Sequence, residues 1–297
     1  MDRFLAMSTF VRIVEKGSLT AAAATLDTSL PSVVRTLAAL ERDLGVRLLN
    51  RTTRRIHLTD DGAQYLERCR AILSAMQDAE AALSARRTEP HGRLAVTAPV
   101  LFGRRYIAPI VGDFLRRYPH VSADLLFVDR VVNLIEEGID VAVRIGRLAD
   151  STLISVPVGT VRRLVCASPK YLQRHGTPRA PAEVSAHACV RHTGALRGDW
   201  PFRVGRRAMT VPITAAISCN DVESGLEACL SGAGLGMFLS YQTAPYRNAG
   251  KLRYVLEQFE TDPIPVQVVY PQAKLVTSKV RAFLDECVSK LRQEKFE

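Results

Sequence analysis

The stretch from Gly17 to Gly62, GSLTAAAATLDTSLPSVVRTLAALERDLGVRLLNRTTRRIHLTDDG, constrains the fold more than any other part of the chain. It holds two short segments of helical apolar spacing, a tight turn between them, and then a basic, threonine-rich ribbon. Ser18 can accept a hydrogen bond from free amides at a helix start, and the alanine block Ala21 to Ala24 permits close helix contact. That helix stops near Leu26. A turn through Asp27 and Thr28 leads to Ser29, a second capping residue, with Pro31 in the first helical turn, where a missing amide costs little. Val33, Leu37, Leu40 and Leu44 then form one apolar stripe, leaving Pro31, Ser32, Arg35, Thr36 and Ala39 on other faces. Two helices about a tight turn, the second with its polar start exposed, make a helix-turn-helix, whose second helix suits a DNA major groove.

After Gly45 the period changes. Val46, Leu48, Ile56 and Leu58 are strand-like alternations flanking NRTTRR, a two-stranded wing whose Arg51, Arg54 and Arg55 would lie beside phosphates or reach the minor groove. A lone arginine is ordinarily a solvated charge, but three on a wing beside a helix-turn-helix point to DNA. The candidate DNA-contacting residues are Ser18, Thr28, Ser29, Leu30, Pro31, Ser32, Val34, Arg35, Arg51, Thr53, Arg54 and Arg55.

Upstream, Phe4, Met7, Phe10 or Val11, and Val14 predict a first helix ended by Gly17. Downstream, Thr59 followed by Asp60 and Asp61 opens a long helix. In it Leu66, Cys69, Leu73, Met76, Ala79 or Glu80, and Leu83 make a narrow seam running to about Arg87. Such a seam suits pairing with a second copy; the alternative is docking on its own chain. Thr88 to Gly92 break the helix.

Beyond that hinge, strands and helices alternate. Strands are expected at Leu94 to Ala98, Ser122 to Val128, Val141 to Ile145, Leu153 to Val158, Arg163 to Ala167, Ile213 to Ser218 and Val266 to Tyr270. Helices are expected over Tyr106 to Tyr118, Val131 to Glu137, near Tyr171, up to Ser231 and over Val276 to Leu291, with a hairpin at Gly205. Two α/β lobes joined by two crossing strands would leave a cleft outside the strand ends. At Ala98 and Ser218 a strand runs into a helix start, whose amides and dipole can hold an anion without a basic side chain. Thr97, Pro99, Val100, Leu101, Phe102, Asp129, Arg144 and Gly146 are the candidate effector-binding residues from one lobe, and His192, Thr193, Asn220, Asp221 and Phe238 from the other.

A chain of 297 residues exceeds a single core, and its charge of +10 favours a polyanionic partner. The six cysteines show no Cys-x-x-Cys pair, so neither zinc nor a disulfide scaffold is expected, and Cys219 and Cys229 read as structural thiols more readily than as a redox pair. No catalytic nucleophile elbow, phosphate loop or dinucleotide fingerprint appears. GAGLG follows a helix and precedes a strand, the reverse of the order a nucleotide loop needs. The expectation is therefore a protein that is not an enzyme, with no metal and no cofactor. An enzyme or solute-binding protein on the same clamshell would need an acid-base set, a cofactor residue or an export signal, and none is found. The N-terminus is a poor signal peptide and no apolar run spans a bilayer, so a cytoplasmic location without membrane association is expected.

Gly17, Ser18, Ala21 to Ala23, Leu26, Ser29, Pro31, Val33, Leu40, Glu41, Leu44, Gly45, Leu48, Arg51, Arg54, Leu58, Thr59 and Gly62 together resemble the N-terminal pattern of LysR-type transcriptional regulators. PVLFGRRYIAPIVGDFLRRYPHV and GIDVAVRIG resemble the CrgA-like subgroup. The resemblance covers essentially the whole chain. It implies an α/β multidomain protein: a winged helix-turn-helix DNA-binding domain (1–59), a linker and dimerisation helix (60–89), and an effector-binding domain (92–297). The last would be two-lobed and like type II periplasmic binding proteins, with lobe I at 92–162 and 267–297 and lobe II at 163–266. Implied partners are double-stranded DNA with a dyad-symmetric operator, a small-molecule effector for which an anion is a candidate, RNA polymerase as a further candidate, and a homodimer or homotetramer. Three positions depart from the pattern. Leu30 stands where Gln is common and Val34 where Ser is common, so apolar contact replaces base-edge hydrogen bonding; Leu49 replaces an aromatic residue.

Overall fold

The computed structural model describes residues 2–51, 56–84, 89–148, 153–193, 199–272 and 276–297. They form two compact units, Met1–Thr88 and Glu89–Glu297. The first begins with α1 (Arg3–Lys16), α2 (Leu19–Thr25) and α3 (Leu30–Leu44), continues through the antiparallel strands β1 (Leu49–Arg51) and β2 (Ile56–Leu58), and ends in α4 (Asp60–Ser84). Each helix start has a side-chain cap: Asp2 accepts from Phe4 N, Ser18 from Ala21 N, Ser29 from Ser32 N and Thr59 from Gly62 N. Gly17 and Gly45 end α1 and α3 at φ 61° and 71°, a left-handed turn that glycine adopts without strain.

The core of this unit forms where Ala6, Phe10 and Ile13 of α1 meet Ala22 of α2 and Val33, Leu37 and Leu40 of α3. Phe4 does not join them: capped at Asp2, the first turn of α1 lies outside the core and leaves Phe4 47% exposed. The seam of α4 also departs from a pure pairing surface. Leu66 and Cys69 are buried in the core just described, with Tyr65 and Leu73 packed against it, whereas Ile72 and Met76 are exposed. The first turns of α4 therefore dock on their own chain. The expected extension of this helix toward Arg87 lies outside the described residues.

In the second unit, β3 (Gly92–Ala98) leads into α5 (Val100–Phe102), a π-helical turn (Gly103–Ile107) and α6 (Ala108–Arg117). Then come β4 (Val121–Phe127), β5 (Val141–Ile145) and β6 (Leu153–Val161). After a single residue, Arg162, the chain enters β7 (Arg163–Ala167), followed by α7 (Pro169–His175), β8 (Cys189–His192), a β9 (Trp200–Val204) and β10 (Arg207–Val211) hairpin, β11 (Ala215–Cys219) and α8 (Val222–Ser231). The return runs through β12 (Leu235–Leu239), α9 (Ser240–Asn248), β13 (Arg253–Val255), β14 (Ile264–Pro271) and α10 (Ser278–Gln293). Among the described residues the strands make two five-stranded mixed sheets, ordered β4-β3-β5-β14-β6 and β11-β8-β12-β7-β13. Val96, Val141, Val143, Val266 and Val268 of the first pack under Phe102, Phe114 and Phe283. The second is covered on one side by Tyr171, Trp200 and Phe202 and on the other by Val222, Leu226 and Cys229.

The expected helix at Val131 to Glu137 is absent. Asn133 Oδ1 instead accepts from Ile135 N at 3.2 Å, and Gly138 at φ 67° closes a single turn. An asparagine that satisfies the backbone locally competes with helix propagation. Sequence reading also missed β8, β13 and α9, the last because SYQTAPYRN carries an internal proline and few strong helix formers.

The start of α4 is seated by a close approach. Thr59 Oγ1 donates to Arg47 O at 2.7 Å, and a Cβ on Gly62 would sit 2.0 Å from Leu48 O. Gly62→Ala is expected to destabilise the N-terminal unit by about 1–3 kcal/mol through overpacking against backbone that cannot yield. Thermal unfolding of wild type and variant, followed by circular dichroism, reads the loss.

Candidate functional site

Two surfaces are built from the residues singled out above. In the N-terminal unit, Asp27 takes a left-handed φ of 49° and Thr28 N donates to Ala23 O at 3.0 Å, which fixes the turn between α2 and α3. Thr28, Ser29, Leu30, Pro31 and Arg35 are exposed there, with Ser18, Ser32 and Val34 half-buried. With Val33, Leu37 and Leu40 turned inward, the opposite edge of α3 is left to solvent. An arginine in its second turn and no acidic side chain in its first suit a polyanion. Arg51 ends β1 opposite Ile56, while Thr53, Arg54 and Arg55 lie outside the described residues.

In the C-terminal unit, a cavity of about 570 Å³ lies between the two sheets. Of the expected residues, Thr97, Pro99, Asp129, Arg144, Gly146, His192 and Phe238 line it. The others serve structure nearby. Val100 N donates to Asp129 Oδ1 at 3.0 Å, Leu101 packs against apolar clusters of both sheets, and Phe102 is fully buried 5.3 Å from the rings of Tyr241 and Phe296. Thr193 bonds Cys219 O, Asn220 O meets His192 Nε2 at 3.1 Å, and Asp221 caps α8 by accepting from Ser224 N at 2.8 Å. Sequence reading missed Arg163, Met237, Tyr241, Gln242 and Ile264, which also face the cavity. Arg163 carried one signal, a lone charge opening the apolar strand RLVCA.

These contacts bear on how the cleft could hold an anion. Each helix start at the cleft already holds a carboxylate of this chain, Asp129 at α5 and Asp221 at α8. A second anion there would meet like charge. The positive charge comes instead from side chains. Arg130 is neutralised by Glu137 through two hydrogen bonds of 2.7 Å, and this pairing holds the Glu137 carboxyl below its ordinary range. Among the described residues Arg144 bonds only a carbonyl, Val132 O at 2.5 Å, and burial lowers its pKa; burial also lowers that of Arg163.

The described residues contain no cluster of His, Cys, Asp and Glu able to hold a metal ion. Burial, with Asp221 nearby, raises the Cys219 thiol, and burial raises Cys229 well above its ordinary value, so both favour the unreactive thiol form. No described helix is long and apolar enough to cross a membrane.

The family pattern described as "Bacterial regulatory helix-turn-helix protein, lysR family" matches residues 4–63, and "LysR substrate binding domain" matches 87–292. An HTH-type transcriptional repressor of Pseudomonas aeruginosa is 35% identical over 288 residues, 96% of this chain and 91% of that protein. The HTH-type transcriptional activator AaeR of Escherichia coli is 32% identical over 304 residues, 99% of this chain and 97% of that protein. The solved structure of CrgA, a LysR-type transcriptional regulator from Neisseria meningitidis, has a TM-score of 0.62 at 35% identity, covering 97% of this chain and 98% of that one.

The α8 cap gives a pH-dependent expectation. Hydrogen bonding to Ser224 holds the Asp221 carboxyl below its ordinary range, so its stabilisation is present above the unfolded pKa and is lost as pH falls through the folded one. Asp221→Ala should cost about 1 kcal/mol at neutral pH, with the gap closing on acidification. Urea unfolding followed through the fluorescence of Trp200, the single and fully buried tryptophan, measures it.

Proposed function

The chain belongs to the LysR family of transcriptional regulators, and on that premise we propose how its surfaces divide the work. It is a DNA-binding regulator with an effector-binding domain of the LysR kind. The observation that carries the proposal is the exposed edge of α3, where Leu30, Pro31 and Arg35 stand clear of a core that takes Val33, Leu37 and Leu40. This edge enters the major groove of double-stranded DNA. Ser18, Thr28, Ser29 and Ser32 meet phosphates at the helix starts, Leu30 and Val34 meet base edges through apolar contact, and Arg51, Thr53, Arg54 and Arg55 extend the footprint along the backbone.

The remaining roles follow from the same architecture. A small effector occupies the cavity between the sheets and biases their relative placement, which changes the spacing of paired DNA-reading units on a dyad-symmetric operator. Pairing uses the exposed positions of α4, Ile72 and Met76 among them, in a homodimer or homotetramer. The protein acts in the cytoplasm, with RNA polymerase as the downstream partner, and the task requires no catalytic turnover.

Binding to the duplex upstream of its own gene, measured by fluorescence anisotropy across salt concentrations, is expected to exceed binding to random duplex and to weaken steeply with salt. A flat salt response or no preference overturns the DNA-reading assignment. Leu30→Gln with Val34→Ser should shift the preferred bases, by about 1–3 kcal/mol per altered contact, while leaving nonspecific affinity near wild type. Selection from a randomised duplex pool reads that change. An unaltered preference would place base discrimination in the wing or in DNA shape.

A further inference from the structure

From the two half-buried arginines that face the cavity with no carboxylate partner among the described residues, Arg144 on β5 and Arg163 on β7, we infer that the effector is an organic acid. Its carboxylate is held between these side chains and its body is apolar. The inference rests on the effector-responsive reading above and gives the ligand its chemistry.

Arg163 is half-buried, lines the cavity, and makes no side-chain hydrogen bond or ion pair among the described residues. Taking a guanidinium out of water without a counter-charge is costly, and a carboxylate supplied by a ligand removes that cost. Burial is the sole influence acting on the pKa of either arginine, and it lowers both, as expected of cations with no anion beside them. Of the other charges at the cavity, Arg147 is exposed to solvent and two are already engaged. Arg130 is spent on Glu137, and Asp129 on the start of α5. A guanidinium offers paired N–H donors that match a carboxylate, which makes arginine suited to this ligand class.

The remaining wall selects the body of the ligand. Val128, Val132, Met237, Phe238, Leu239 and Ile264 offer apolar surface, and about 570 Å³ falls within the range of small-molecule sites. An inorganic anion would leave this surface wet. The clamp also spans the fold, since Arg144 belongs to the sheet of β3 and β14 and Arg163 to that of β8 and β12. One anion binding both arginines draws the two sheets together.

The test uses the full-length protein in thermal unfolding with benzoate, phenylacetate and 3-phenylpropanoate, each beside its neutral amide, and with sulfate at matched ionic strength. At least one acid is expected to raise the melting temperature by a few degrees, with its amide and sulfate far less effective. Titration calorimetry should show that acid binding about 10- to 100-fold more weakly to Arg163→Met and Arg144→Met, with Arg163→Lys intermediate. Without ligand, Arg163→Met should unfold above wild type, because it removes an uncompensated half-buried charge. That readout does not depend on which acid is the natural one. If no acid stabilises the protein, if amides or sulfate match the acids, or if Arg163→Met neither gains stability nor loses acid binding, the inference is overturned. Binding of the same variants to the upstream duplex separates the two readings. Preferential DNA binding without acid binding sinks the clamp alone, and acid binding without DNA preference sinks the regulator mechanism alone.

Discussion

Arg162 is the single residue between β6 and β7, and the geometry of the C-terminal unit depends on how it is held. Its guanidinium donates to Glu260 at 2.7 and 2.8 Å and to Glu257 at 3.0 Å, tying the outgoing crossover to the segment that returns toward β14. Its backbone exchanges hydrogen bonds with Ser240, whose hydroxyl also donates to Phe296 O at 2.6 Å. Both crossovers, the start of α9 and the end of the chain therefore meet at one node. Interactions that brace a hinge while leaving the sheets apart let the sheets move as bodies. Arg162 and Arg163 divide the labour: the first is neutralised within the fold, and the second faces the cavity without a partner among the described residues.

The N-terminal unit solves a different problem, how a small core can hold the exposed edge of α3 in a fixed pose. Glu41 accepts from Leu48 N and Leu49 N at 2.9 and 3.2 Å, which anchors the wing to α3. Thr59 and Gly62 then seat α4 beside Leu48. One side of α3 is thus fixed by Val33, Leu37 and Leu40, its end by the left-handed Gly45, and its start by Ser29. Leu30 and Val34, exposed and half-buried, can vary without touching these supports.

The helix-turn-helix was legible because its determinants are local. Serine caps, a proline in the first turn and a three- and four-residue apolar step each act within a few residues. The α/β order beyond it was legible for the same reason, down to the hairpin at Gly205. What sequence could not give depends on distant neighbours. That Leu66 and Cys69 face their own core rather than a second copy follows from where α1 lies. That Asp129 fills a helix start follows from β4 ending beside β3. Thr97, Arg144, His192 and Phe238 could be placed at the cavity from strand ends alone, but Arg163 could not. Its significance comes from burial without a counter-charge, which no local pattern encodes.

The burial of Leu66 and Cys69 makes the start of α4 part of the DNA-reading body, so the helix and that body turn as one rigid piece. Its 25 residues give an arm of roughly 37 Å. A tilt of about 10° at one end would displace the other through about 6 Å. Small rotations along α4 are thereby geared up into displacements of several ångströms, so a modest adjustment at one end is a large one at the other.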